Sequence, residues 1–200
     1  MNQTYLIRLI ALMLLAFTST GCVVVAGEAA TQTAVTVAQE RSVGRAVDDT
    51  AIYAEIKHLF LQKDINALLI DVGVEVVEGR VLLTGAVRKP ETAIEAVRLS
   101  WQVDGVREVI NEIQVTDKSS LKDYARDVWI SAQIKSRLLF AKNIQSINYS
   151  IETVNSVVYL IGLAQNEDEL GRVVQVARTT KYVQKVISHV RLKTDPRRPY

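Results

Sequence analysis

The sequence predicts an α+β fold built from two similar small domains in tandem. The first observation is an internal repeat: Val81–Gly85 falls opposite Val158–Gly162, and apolar positions on either side match at the same spacing of roughly 77–78 residues. The second is that each copy changes from helical to strand periodicity in the same order. The third is a body rich in valine and isoleucine, which favours mixed helix and sheet. A repeat of this length forms a small domain and not a solenoid unit.

Each copy begins with a predicted helix, over 49–62 in the first copy and 124–141 in the second. Ile130, Ile134 and Leu138 recur at i, i+4 and i+8. Side chains at this spacing share one face of a helix, so we expect that face to be buried.

A second helix is predicted over 90–102 in the first copy and 167–179 in the second. Pro90 suits the first turn of a helix, because the N–H groups there have no partner within the helix and a missing N–H costs no hydrogen bond. Asn166, with Glu169 three residues later, resembles a capping box at the start of the other helix.

The strands are predicted between and after these helices. Valine alternates with other residues over 72–76, which is typical of a half-buried strand, and Glu78-Gly79 predicts a tight turn into a strand over 80–85. A last strand closes each copy, over 107–115 and 185–192. The expected order in each copy is α-β-β-α-β, with a small three-stranded mixed sheet packed against two helices.

The N-terminal segment has the parts of a lipoprotein export signal. Its apolar run from Leu9 to Phe17 is well short of the ~20 residues that span a bilayer, so a cleaved signal is favoured over a transmembrane helix. Ser19-Thr20-Gly21-Cys22 resembles a lipobox, although Ser19 stands where such motifs usually have Leu. Cys22 is the only cysteine, and we predict that it is acylated. The alternative is an ordinary secretory signal followed by a free cysteine.

The chain is thus expected to contain six segments. They are a signal peptide (1–21), a lipidated N-terminus with a flexible tether (22–47), a first domain (48–116), a linker (117–123), a second domain (124–193) and a C-terminal tail (194–200). The tether is assigned because residues 23–47 show no strong helical or strand period. Val23, and not Asp, follows the cysteine, which resembles the pattern of lipoproteins sent to the outer membrane.

The sequence contains no catalytic or cofactor motif: there is no HExxH, no CxxC, no phosphate-binding glycine loop and no nucleophile elbow. We therefore predict that the protein is not an enzyme and holds no cofactor or metal. His58 and His189 are expected to be solvated, and Asp48-Asp49 to stabilise the start of the first helix through its dipole. Export and a net charge of only +2 argue against a nucleic-acid partner.

The doubled α-β-β-α-β unit, with apolar strands ending at Gly85 and Gly162, resembles the BON domain. Arg41-Ser42-Val43-Gly44 followed by Val47-Asp48-Asp49, together with the lipobox, is similar to the dual-BON outer-membrane lipoproteins of the OsmY/BON family. The resemblance covers nearly all of the mature chain. It implies a non-enzymatic, lipid-anchored protein on the periplasmic side of the outer membrane that supports envelope integrity, with the division site as a candidate location.

The second copy departs from the first at two turns. Tyr182 stands where the first copy has Gly105, and Asn155-Ser156 replaces Glu78-Gly79. These substitutions leave the geometry of both turns open, while the apolar core pattern is kept.

The repeat also allows the first helices of the two copies to be compared. Trp129, Leu139 and Phe140 fall outside the apolar stripe of the second copy, and Lys135 and Arg137 flank them. The matching positions in the first copy are Ala51 for Trp129, Leu61 for Leu139, Gln62 for Phe140 and Lys57 for Lys135. Exposed aromatic residues flanked by cations are typical of an interfacial membrane contact. The other interpretation is that Trp129 and Phe140 pack against the first domain or the linker, and the residues alone leave both open.

The resemblance favours the membrane contact, because in dual-BON lipoproteins the first helix of the second domain binds anionic phospholipid. On this chain it implies lipid contacts at Trp129, Lys135 and Leu139, with Arg137, Phe140 and Ile130 as further candidates. Phosphatidylglycerol and cardiolipin are the expected lipids. The alternative is a periplasmic protein-interaction module that docks on the outer-membrane barrel-assembly machinery. Trp101, at the end of the helix over 90–102, is expected to pack in the core or between the domains.

Overall fold

The computed structural model describes residues 43–117 and 121–198, so the predicted signal peptide and the predicted acylation site, Cys22, lie outside the described residues. The first repeat contains α1 (Val43–Lys63), a π-helical turn (Ile65–Ile70), β1 (Val72–Val77), β2 (Arg80–Val87), α2 (Pro90–Ser100), β3 (Glu108–Asn111) and β4 (Gln114–Val115). The second contains α3 (Leu121–Leu139), a 3-10 turn (Ser146–Asn148), β5 (Tyr149–Val154), β6 (Val157–Ala164), α4 (Glu167–Arg178) and β7 (Lys185–Leu192). The predicted α+β class and the α-β-β-α-β order are confirmed.

The two sheets share one topology. β1 pairs antiparallel with β2, and β2 pairs parallel with both β3 and β4. In the second repeat β6 pairs antiparallel with β5 and parallel with β7. The last strand of the first repeat is interrupted, because the Asn111 side chain accepts the Ile113 N–H at 3.1 Å and forms a local turn. The sequence predicted one continuous strand at this place.

The hairpin turns of the two repeats are alike despite their different sequences. Glu78 and Gly79 have φ values of 55° and 72°, and Asn155 and Ser156 have values of 50° and 65°, as a two-residue type I′ turn requires. Each turn is held by an aspartate carboxylate on the preceding helix, which accepts two backbone N–H groups. Asp49 accepts those of the first turn at 2.8 Å each, and Asp127 accepts those of the second at 2.6 and 2.8 Å.

This contact corrects the role expected for Asp48-Asp49. Because α1 extends from Val43, both residues lie inside the helix and not before it. Asp49 is 4% exposed and holds the hairpin turn, so its role is to join α1 to the sheet. At α4 the predicted cap is confirmed, since Asn166 Oδ1 accepts the Glu169 N–H at 2.9 Å.

The helices of each repeat cover one face of its sheet and enclose a core of aliphatic side chains. Ile56 and Phe60 of α1 are fully buried in the first core, and Ile130 and Ile134 of α3 are fully buried in the second. The opposite faces of the two sheets meet each other, and both repeats belong to one compact unit. The side chains buried between the sheets are Val77, Leu82, Tyr159, Ile161 and Leu163.

Candidate functional site

The outer face of α3 carries an unusual set of exposed apolar side chains. Its buried stripe faces the second core, and the opposite side leaves Trp129 41%, Leu139 66% and Phe140 81% exposed. Val128, on the same side, is also exposed. Isolated exposed apolar residues are common, but a group on one helix face marks an interaction surface. The side chains therefore lie where the prediction of an interfacial helix requires them.

Tyr182, in the loop between α4 and β7, joins this surface. Its ring meets that of Trp129 edge to face, with centroids 5.6 Å apart and an interplanar angle of 65°. Lys181 Nζ lies 4.7 Å from the centroid of the Tyr182 ring, at cation–π distance. We call Val128, Trp129, Leu139, Phe140 and Tyr182 the aromatic patch.

The backbone of Tyr182 is strained. Its φ is 71°, in the left-handed region that disfavours bulky side chains, and the corresponding Gly105 of the first repeat has a φ of 89°. The fold thus holds a tyrosine at a position suited to glycine. Strain of this kind costs about 1–3 kcal/mol and is concentrated at functional sites. The exchange of Tyr182 for Gly105 is visible in the sequence, but Tyr182 is not among the predicted binding residues.

Two of the predicted lipid-binding residues have other roles. Ile130 is 0% exposed inside the second core, so it packs the domain and is removed from the set that can touch a membrane. Arg137 bonds to the C-terminal end of α4: its guanidinium donates to Val176 O at 3.0 Å, Thr180 Oγ1 at 2.8 Å and Thr179 Oγ1 at 3.0 Å. Arg137 therefore joins α3 to α4 at the carbonyl-rich end of a helix, where a cation is favoured.

Lys135 is exposed, and it has no hydrogen-bond partner among residues 43–117 and 121–198, although the Glu152 carboxylate is close enough to interact with its charge. Its side chain can therefore reach an anion in solvent. Its counterpart Lys57 is different, because Lys57 Nζ donates to Leu69 O at 2.8 Å and Val72 O at 3.3 Å. Burial lowers the pKa of Lys57. The same position is thus structural in the first repeat and solvent-facing in the second.

The surroundings of the aromatic patch are basic. The exposed cations on α3, just beyond it and near the end of α4 are Lys122, Lys135, Lys142, Arg178 and Lys181. Asp123, an acidic residue in the first turn of α3, forms an ion pair with Arg126 one turn later. The electrostatic field at this surface therefore favours anions.

The first repeat lacks both the Trp129–Tyr182 ring pair and the basic surroundings at the equivalent place. Ala51 and Gly105 replace Trp129 and Tyr182, and both line an open cleft of about 660 Å³ between α1 and the loop after α2. Exposed acidic residues at the cleft outnumber its one arginine, Arg107; they are Asp48, Glu55 and Asp104. The first repeat therefore has no counterpart of the Trp129 and Tyr182 rings and lacks the positive charge of α3, although Tyr53 and Leu61 are exposed on α1.

Three further predictions concern single side chains. Trp101 is 52% exposed, so the expectation that it packs in the core or between the domains is wrong. His189 is not simply solvated either, because its Nε2 lies 2.8 Å from Glu112 Oε1 of the other repeat. His58 is exposed on α1 and contacts Gln62 at 2.8 Å. The sequence did not reveal the close packing of the two sheets that brings His189 to Glu112.

Within the described ranges, no group of three or more His, Cys, Asp or Glu side chains is arranged to hold a metal ion. None of the helices described is both long and apolar enough to cross a bilayer.

Comparison with known proteins agrees with the repeated fold. The profile of the BON domain matches residues 48–117 and again 126–194. The chain belongs to the BON-domain family.

Relatives with this architecture come from several bacteria. An uncharacterized protein of the gshII 5′ region of Anaplasma centrale is 46% identical over 148 residues, which span 74% of this chain and 96% of the relative. Osmotically-inducible protein Y of Escherichia coli K12 is 31% identical over 153 residues, 76% of each chain. The outer membrane lipoprotein DolP of Haemophilus influenzae is 26% identical over 155 residues, 74% of this chain and 76% of the relative. One of these relatives, DolP, is named as an outer membrane lipoprotein.

Proposed function

We propose that this BON-family protein is a non-enzymatic envelope lipoprotein that binds anionic phospholipid through the aromatic patch of its second domain. In this proposal acylated Cys22 holds it in the outer membrane, facing the periplasm, and the patch forms a second, weaker contact with lipid. Similarity to an outer membrane lipoprotein supports the location. Phosphatidylglycerol and cardiolipin are the proposed ligands, and envelope integrity, with the division site as a candidate location, is the proposed role.

The observation that carries the proposal is the exposed aromatic patch with a basic surround, present on α3 and lacking on α1. Rings such as those of Trp129 and Tyr182 suit headgroup depth, and Leu139 and Phe140 offer apolar surface to the acyl boundary. Each cation close to an anionic surface contributes about 1 kcal/mol. Burying one large apolar side chain adds about 1.5–3 kcal/mol. The loss of translational and rotational freedom on binding opposes these gains by about 4–15 kcal/mol, so the net contact is weak and reversible.

A weak contact is sufficient beside a permanent anchor. A tether keeps the second site at a high effective concentration near the same leaflet, so modest intrinsic affinity gives substantial occupancy. The strained Tyr182 agrees with this interpretation, because its backbone holds the ring beside Trp129 at the surface, where both rings can contact lipid.

The test is a lipid titration of the unacylated domain pair, followed residue by residue with amide NMR. Adding phosphatidylglycerol to zwitterionic micelles is expected to shift the signals of Trp129, Lys135, Leu139, Phe140 and Tyr182. Zwitterionic micelles alone are expected to produce much smaller shifts. Shifts spread evenly over both repeats, or equal shifts with both lipids, would contradict the proposal.

The alternative function is docking on a protein, such as the outer-membrane barrel-assembly machinery. The observation that favours it is the 660 Å³ cleft of the first repeat, which has an acidic rim and is large enough for a peptide side chain. The cleft should ignore pure lipid, so shifts confined to the aromatic patch favour the first function, and an unchanged spectrum with both lipids favours docking of a protein at the cleft.

A further inference from the structure

A small cavity at the junction of the two repeats is lined only by charged side chains. Its volume is about 240 Å³, and both repeats contribute to its wall. The lining residues are Glu78, Arg80, Arg107, Glu108, Arg191 and Arg197. Four guanidinium groups therefore surround a space that two carboxylates share.

The carboxylates do not balance these arginines. A single oxygen of Glu108, Oε2, accepts from Arg80 Nε and from Arg191 Nη2, each at 2.7 Å. Arg80 also donates through Nη1 to His189 O of the second repeat at 2.9 Å. The Glu108 carboxylate is thus shared by the buried Arg80 and the half-buried Arg191.

The second carboxylate of the lining, Glu78, is paired with an arginine that does not line the cavity. Glu78 is bound by both ends of the Arg198 guanidinium, at 2.7 and 3.0 Å. Arg197 pairs with Asp195 at 2.6 Å, and Arg107 has no ion-pair partner among the described residues. Four arginines and two glutamates line the space itself, which leaves an excess of two positive charges in its wall, and Arg107 also borders the acidic cleft of the first repeat.

The crowding of positive charges also affects the pKa of Arg191. Burial lowers the pKa of Arg191, and the positive charges of Arg80 and Arg197 lower it further against the opposite effect of Glu108. An additional anion in the cavity would relieve this repulsion.

The fold itself does not need these charges. At the equivalent positions of the second repeat, Arg80, Arg107 and Glu108 are replaced by Val157, Gln184 and Lys185, although the hairpin and the strands are the same. The arginine-lined cavity is therefore a feature of the junction and not of the BON hairpin.

We propose that this cavity binds a phosphate group, which bridges the two repeats. The planar fork of arginine matches phosphate oxygens and binds them through paired N–H donors. A concave site of one sign concentrates the opposite charge. The cavity is smaller than the roughly 300–1,000 Å³ of sites for larger organic ligands, which restricts it to an ion or a headgroup. The site contains no residue of the aromatic patch, so it is independent of lipid binding by α3.

Calorimetric titration of the full chain in a zwitterionic detergent tests the proposal, with inorganic phosphate as the ligand and chloride at equal ionic strength as the reference. We expect saturable binding of phosphate that is about tenfold weaker in Arg107→Gln and in Arg191→Gln, since each removes a charged donor. Arg88→Gln, an exposed arginine away from the cavity, makes the same charge change and should bind as the wild type does. Arg107 is exposed and has no ion pair, so its variant keeps the fold even where Arg191→Gln does not.

Phosphate can come from solution or from a lipid headgroup, and a second arm distinguishes them. Mixed micelles containing phosphatidic acid are titrated into Trp129→Glu, in which the aromatic patch is disabled. If Trp129→Glu still binds these micelles and the added substitution Arg107→Gln removes that binding, the ligand is a lipid headgroup. If the protein binds inorganic phosphate but not the micelles, the ligand is a soluble phosphate. No saturable binding in either arm, or equal affinity in Arg107→Gln and wild type, would overturn the proposal and identify the cavity as an interdomain ion-pair network only.

Discussion

Trp129 and Tyr182 meet edge to face across the gap between α3 and the loop after α4, with their ring centroids 5.6 Å apart. Such a pair contributes about 0.5–1.5 kcal/mol beyond the area it buries. The strain at Tyr182 costs a similar amount, so the pair does little for the stability of the fold. Both side chains nevertheless stay partly exposed, Trp129 at 41% and Tyr182 at 52%. A costly arrangement that leaves two rings exposed is better explained by binding than by folding.

Trp129→Glu is expected to abolish binding of the domain pair to anionic micelles without unfolding it. The substitution places a negative charge at the centre of the aromatic patch, where it repels anionic headgroups and removes the largest apolar side chain. Trp101→Glu is the matched control, since Trp101 is a comparably exposed tryptophan in the first repeat. Co-sedimentation with phosphatidylglycerol vesicles measures binding, and circular dichroism checks the fold. Equal losses in the two variants would show that the effect is one of charge alone.

Tyr182→Gly separates a binding role of this residue from a structural one. Glycine relieves the left-handed strain but removes the contact with Trp129, and the two effects offset each other. We expect the free energy of unfolding to change by no more than about 1 kcal/mol, while affinity for anionic lipid falls. Urea denaturation and vesicle binding measure the two quantities. A large loss of stability with unchanged lipid affinity would make Tyr182 a packing residue.

The repeat and its periodicity allowed the fold class, the element order and the α4 cap to be predicted. The packing of one sheet on the other was harder, although Val157–Ala164 is apolar almost throughout, as a strand buried on both faces should be. That packing is why His189 meets Glu112. Local patterns carry no information on which distant segment covers a strand, so the junction and its arginines were missed.

The candidate site was predicted in part. Helical periodicity correctly separated the buried stripe of α3 from its exposed face, and Trp129, Leu139 and Phe140 lie on the exposed side. It could not reveal that Arg137 bonds to α4, because that contact joins residues far apart in the chain. Tyr182 was missed as a site residue for a related reason: its role depends on a backbone torsion and on a ring contact from another element.

Gly85→Ala is expected to destabilise the first domain severely. Gly85 has a φ of 124°, and a Cβ built there would lie 2.0 Å from Asp71 O. The neighbour is backbone immediately before β1, the strand that pairs with β2, so relief requires the two strands to separate here, and we expect a loss of at least about 3 kcal/mol. Gly162→Ala should behave alike, because its Cβ would lie 2.1 Å from Asn148 O.

Gly171→Ala is the control for these glycine variants. Gly171 lies in α4, and a Cβ there has no atom within 4 Å. Alanine is the better helix former, so this variant should gain about 1 kcal/mol. Thermal unfolding measures all three. A stability close to wild type in Gly85→Ala would show that β1 and β2 can move apart at little cost.

Glu152→Gln is expected to stabilise the folded domains at neutral pH. Burial raises the pKa of Glu152, the Glu75 carboxylate raises it further, and Lys135 acts in the opposite direction. The folded protein therefore keeps a proton that the unfolded chain releases. The stability linked to this proton is fully present below the ordinary value of 4.5 and is lost as the pH rises through the folded pKa.

Glutamine cannot lose a proton, so it removes this penalty. The unfolding midpoint of Glu152→Gln should exceed that of wild type at about pH 7.5 and approach it at about pH 4. Glu55→Gln, on the exposed face of α1, removes a carboxylate without this burial and serves as the control. Thermal melts of the three proteins at the two pH values provide the measurement. A stabilisation of Glu152→Gln that is equal at both values would mean that better packing, and not the proton, is its cause.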